Sequence, residues 1–205
     1  MIQHMKHTIT FLFLLFFVSK VEAKKLNYPI EVIAGSAELI VLGEIDMVKG
    51  DIYIFNISET LKGEPINSIS VEIFKEWECD KRFAKPQKGQ KLCLFLRRGL
   101  KGWKIINGSN GELIISNNMI TLGSFEEFEH RDSQFTPYQL PLKEFRNGIV
   151  EFCKCFEFIG EYGFRDEKAH FKQIASDKQI SKFKESSNFS YWIWEKMKKY
   201  QVEKT

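Results

Sequence analysis

Histidine is scarce in this chain. Of four, His4 and His7 fall in an apolar leader, so His130 and His170 alone could serve as bases. No Gly-x-Ser-x-Gly elbow is present. A serine or cysteine nucleophile needs a base within reach, so a nucleophilic hydrolase built from this sequence would gather its site from dispersed residues. Cysteine is as sparse: Cys79, Cys93, Cys153 and Cys155, with none earlier to take a lipid. Four thiols admit three fully paired connectivities in an oxidising compartment and are few enough for all to stay free. A charge excess is missing too. Thirty Lys and Arg face 27 Asp and Glu, a formal net charge of +3, which argues against a dedicated nucleic-acid binder. The apolar run Ile9 to Val18 is only ten residues, half of the roughly 20 that cross a bilayer. Internal repeats and low-complexity tracts are also lacking.

That short run nevertheless carries information. Lys6 precedes it, and Val21-Glu22-Ala23 follows with small residues where a signal peptidase would cut. The expectation is a cleavable signal at residues 1–23, an exported chain beginning at Lys24, and a secreted or periplasmic location without a stable membrane anchor. What remains suits one domain with a real core. Residues 24–123 read as the β-rich part and residues 124–205 as a helical extension packed on it.

The β-rich part is a series of short strands between turn residues. Leu39 to Met47 starts apolar on both faces and becomes polar on one towards its end. Lys49-Gly50-Asp51 reverses the chain into Ile52 to Ile57, so the two runs form a hairpin. Ser68 to Phe74 gives a third strand. Leu92 to Leu96 is apolar on both sides, which suits a central, doubly covered strand with Cys93 in the core. Trp103 to Ile106 and Glu112 to Ser116 follow, joined at Asn107-Gly108-Ser109-Asn110-Gly111 by an expected hairpin turn. The pattern points to a small antiparallel barrel or sandwich.

Helical spacing appears later. Pro141 can open a helix whose Leu142, Phe145, Ile149, Phe152, Cys153 and Phe156 share one face, with Cys155 about 200° around from Cys153. Ser176-Asp177-Lys178-Gln179 is a capping-box signature for a second helix. Tyr191, Trp194 and Met197 continue an apolar helical spacing.

Four segments, Ala37 to Ile45, Ile57 to Gly63, Cys79-Asp80 and Gly89 to Leu96, resemble the netrin-like module. That module occurs in tissue inhibitors of metalloproteinases and in uncharacterised exported bacterial proteins. The resemblance implies a mainly β fold, a small OB-like antiparallel β-barrel plus two or three packed α-helices. It does not carry the inhibitory activity across. Those inhibitors chelate zinc through an amino-terminal cysteine, whereas the expected start here is Lys24-Lys25-Leu26.

Several constellations could carry chemistry. Cys153-Lys154-Cys155 has one residue too few between its thiols for usual zinc or redox motifs. It reads as a core cysteine beside a flank cysteine, with Cys155 free or bridged to Cys79. Glu126 to Asp132 reads as a solvated acidic loop, since no calcium-loop pattern is present. Tyr191 to Trp194 beside Lys196, Lys198 and Lys199 reads as an element that packs on the barrel rather than on a membrane. The loop from Lys75 to Lys88 interleaves aromatics with charge, and Trp77, Arg82 and Phe83 are its candidate ligand contacts. The functional expectation is an exported, non-catalytic binding module without a cofactor, recognising another extracellular or envelope protein or a glycan. The alternative is a small secreted hydrolase with a dispersed site.

Overall fold

A computed structural model of the chain describes residues 25–78, 80–122, 139–160, 162–163 and 170–204. The expected signal, Cys79, His130 and the acidic stretch from Glu126 to Asp132 lie outside the described residues. At the centre is a five-stranded barrel. β1 (Leu39–Lys49) and β2 (Ile52–Lys62) form the long hairpin, reversing at Gly50 with φ 61°. β3 (Ser68–Glu72), β4 (Lys91–Arg98) and β5 (Trp103–Ile105) complete the order β1-β2-β3-β5-β4. β4 then returns to β1, from Leu39↔Leu96 to Glu44↔Lys91, so the barrel closes and leaves no edge. This is the OB-like arrangement.

Two details depart from the sequence expectation. β3 and β5 run parallel, Val71 beside Trp103, because the chain crosses from β3 to β4 by a long loop before β5 turns back between them. Asn107 to Gly111 is a 3-10 turn rather than a hairpin. β5 and β6 (Glu112–Ser116) pair with successive stretches of β4 and not with each other. β7 (Met119–Thr121) and β8 (Gln139–Pro141) extend the sheet outward from β6.

Alternation along the strands builds two cores. Leu39, Val41 and Ile45 of β1 join Tyr53, Phe55, Leu92, Leu94 and Leu96 inside the barrel. The intervening Ile40, Leu42, Cys93 and Phe95 point outward, where helices cover them. Cys93 is thus a core residue, and burial pushes its thiol pKa up strongly.

The covering layer holds α1 (Ile30–Ser36), α2 (Leu142–Cys155), α3 (Asp177–Glu185) and α4 (Asn188–Met197). It also holds a small sheet of β9 (Phe156–Phe158), β10 (His170–Gln173) and β11 (Gln201–Lys204). α1 is not foreseen by periodicity because its first five residues are all buried, which leaves no polar face to mark a period. Lys62 Nζ donates to the carbonyls of Ala34 and Gly35 at 3.0 and 2.8 Å, completing the α1 carboxyl end. Glu31 on the same helix is fully buried, accepts a 2.6 Å bond from Tyr200 Oη and lies 3.3 Å from Lys196 Nζ.

α2 begins after Pro141 and buries Phe145, Gly148, Ile149 and Phe152. Its stripe is rotated from the expected face, with Cys155 buried and Cys153 only half-buried. The cause is a neighbour on the Gly148 side, where a Cβ would stand 2.5 Å from the Phe189 ring of α4. On the opposite flank Cys153 Sγ lies 3.9 Å from the Ala34 carbonyl of α1. The α3 capping box forms as its residues indicate, Ser176 Oγ accepting from Gln179 N–H and Gln179 Oε1 from Ser176 N–H. α4 turns Trp192 and Ile193 into the core, while Trp194 is half-buried with the Lys184 and Lys198 ammoniums over its ring. No helix among the described residues is long and apolar enough to cross a membrane.

Candidate functional site

The chain between β3 and β4 spans one end of the barrel and holds the three candidate contact residues. It is fixed by two buried ion pairs. At the first, Asp80 Oδ1 accepts from Lys25 Nζ at 2.7 Å, from Ser109 Oγ at 2.6 Å and from Ser109 N–H at 3.0 Å. Gly108, at φ 56°, has no room for a side chain because the Asp80 carboxylate fills that space. Asn107 draws in the start of the described chain as well. Its Oδ1 accepts from Tyr28 N–H at 3.0 Å and its Nδ2 donates to the Leu26 carbonyl at 2.9 Å. The Gly-Ser-Asn-Gly turn is therefore a polar clamp, and its serine hydroxyl donates to the Asp80 carboxylate rather than to a histidine.

At the second pair, Arg82 points inward and its side chain is only 4% exposed. Its Nε donates to Glu112 Oε1 at 2.7 Å and its Nη1 to the Phe74 carbonyl at 2.9 Å. The guanidinium stacks on the Phe74 ring, 3.5 Å from the centroid. Tyr53 Oη donates to Glu112 Oε2 at 3.1 Å. Burial pushes the Glu112 carboxyl above its ordinary value, against the opposing pull of Arg82, and holds Tyr53 well above the usual phenol range. Arg82 is thus a plug where the start of β2, the end of β3 and the start of β6 meet, not the exposed cation that its neighbours in sequence imply. A buried carboxylate 30 positions away decides its direction, and local pattern cannot reveal that.

Trp77 and Phe83 do stand at the surface, 40% and 80% exposed. Trp77 and Asp80 close a tight turn through reciprocal backbone bonds. The anchors Asp80 and Arg82 follow, and Phe83 comes next. Two aromatic side chains are therefore displayed on a loop whose Asp80 and Arg82 face inward, while Glu78 and Lys81 stay exposed beside them. Lys25, Asp80, Ser109, Glu112 and Tyr53 were not marked as site-building residues by sequence alone. Only the turn chemistry at Asn107 to Gly111 gave a local signal.

Of the two histidines that a dispersed hydrolase could use, His130 lies outside the described residues. His170 is on β10 in the small outer sheet. Cys93, Cys153 and Cys155 are free thiols, and burial pushes Cys153 and Cys155 to about 11, so both stay protonated and weakly nucleophilic near neutrality. Cys79, the partner expected for Cys155, lies outside the described residues. Among the described residues no group of three His, Cys, Asp or Glu side chains could hold a metal ion.

Comparison of the chain with protein-family models, with curated proteins and with solved structures finds no match.

Proposed function

We propose that this chain is an exported, non-catalytic binding module of netrin-like type, and that the Trp77 to Phe83 loop engages a partner protein. One observation carries the reading: Trp77 and Phe83 are exposed on a loop pinned from beneath by the Lys25–Asp80 and Arg82–Glu112 pairs. Aromatic anchors on a pre-ordered loop lose little entropy on binding, which is how a small surface acquires affinity. The OB-like strand order and the segments that resemble the netrin-like module support the kinship, and the short apolar leader supports export. Without an amino-terminal cysteine, zinc-chelating inhibition of metalloproteinases is not part of the function.

The test places a photo-crosslinking side chain at position 83 of the secreted protein, with the same group at exposed Leu100 as control. A partner protein captured at 83 and not at 100, and lost when Trp77→Ala is added, is the expected result. Replacing both aromatics by alanine should weaken that complex by about 2 kcal/mol or more. Equal capture at both positions would remove the loop from the interface. Amino-terminal sequencing of the secreted form should read from Lys24.

A further inference from the structure

A second surface feature lies on the barrel wall, away from the aromatic loop. It is a groove of about 790 Å³ between the outer faces of β1 and β2, the β6–β7 hairpin and the start of α2. Its volume falls within the roughly 300–1,000 Å³ of small-molecule sites. A cross-strand row crosses it, since Glu44 of β1 is registered opposite Asn56 of β2 on one side and Lys91 of β4 on the other. Asn117 and Asn118 face the row from the hairpin, both left-handed at φ 50° and 60°. None of these five side chains has a hydrogen-bond or ion-pair partner among the described residues.

The groove is shaped by local irregularity in β1. The β1–β2 register shifts between Leu42 and Gly43, and any side chain at Gly43 would run into the Asn56 carbonyl. Bulges of this kind re-aim side chains beside functional sites. Ile57, Ile115 and Leu142 supply apolar patches among the polar groups. At the rim Glu59 is held by Arg146 Nε at 2.6 Å, so its charge is answered within the protein. The Ser58 hydroxyl is also engaged, donating to the Leu42 carbonyl at 3.1 Å, which leaves one carboxylate, one ammonium and three amides, a set with no net charge and both donors and acceptors. A phosphate or polyanion would lack a basic excess here, and an apolar ligand would strand the amides. Vicinal hydroxyls match amide and carboxylate pairs, and the carbon face of a sugar ring matches the aliphatic patches.

We propose that this groove binds a short neutral oligosaccharide. The site is separate from the aromatic loop, so either reading can fail without the other. Saturation-transfer NMR on the full exported chain, with chitotetraose and cellotetraose as probes at millimolar concentration, tests it. Transfer to at least one tetrasaccharide is expected. Glu44→Ala with Asn56→Ala should weaken it by about tenfold or more, since two polar contacts to the ligand are lost together. Both positions are exposed, so the unfolding midpoint should hold and separate lost binding from lost fold. Trp77→Ala with Phe83→Ala should leave transfer unchanged. The proposal is overturned by transfer to neither sugar, by full transfer in the Glu44/Asn56 variant, or by loss of transfer only in the aromatic variant.

Discussion

Neighbours in sequence have opposite fates at residues 82 and 83. Arg82 is buried against Glu112, and removing one partner of a buried pair leaves the other charge uncompensated. Arg82→Ala should therefore cost about 3 to 5 kcal/mol, read as a lower urea midpoint. Phe83→Ala, at an exposed position, should move stability by less than about 0.5 kcal/mol. Similar midpoints for the two variants would show that the plug is not formed. The thiols give a pH-dependent counterpart. Cys153 and Cys155 have folded values near 11, above the ordinary 9.0, so the folded chain holds these protons longer than the unfolded one. Their stabilising contribution is full below pH 9.0 and is lost as pH rises through about 11. Native alkylation by iodoacetamide should accordingly climb towards pH 11, while the urea-unfolded chain should react readily near pH 9.

At the scale of the element, α2 is the informative case. Its apolar residues recur at helical spacing, so its existence and its main face were legible before any tertiary information. The rotation that buries Cys155 in place of Cys153 was not, because it depends on Phe189 lying over Gly148. Phe152, fully buried among the rings of Phe156, Phe171 and Phe183, should cost about 3 to 5 kcal/mol on truncation to alanine. Lys154, exposed and paired among the described residues with Glu151 one turn earlier, should cost less than about 0.5 kcal/mol. Gly148→Ala is the sharper test. Helix propensity alone would make it stabilising by about 1 kcal/mol, yet the added methyl meets a packed ring, so a net loss of roughly 1 to 3 kcal/mol is expected. A gain on urea denaturation would place α4 farther from α2.

For the whole molecule, the decisive point is that β1 and β4 are apolar on both faces. Ile40, Leu42, Cys93 and Phe95 are buried only because helices cover them, and the helices bury their own stripes on the same residues. Barrel and helical layer should therefore unfold together in one cooperative transition. A chain ending at Leu122 would expose that face as a large apolar patch and should aggregate or bind a hydrophobic dye. A soluble, cooperatively folding fragment of residues 25–122 would show the barrel to be an independent unit.

Alternation in β1, the two-sided apolar run of β4, the Gly50 reversal and the Ser176 capping box fixed strands and helices from local chemistry, since each needs only its near neighbours. The same reasoning picked out an aromatic loop and left Trp77 and Phe83 at the surface. Tertiary structure decided what depends on distant partners. It set the parallel β3–β5 pairing, turned Arg82 inward, and converted the Asn107 turn into a clamp on Lys25 and Tyr28. It also brought Asn56, Glu44 and Lys91 into one row. A periodic pattern records which face of an element is buried, but carries no record of which remote charge or ring will meet it there.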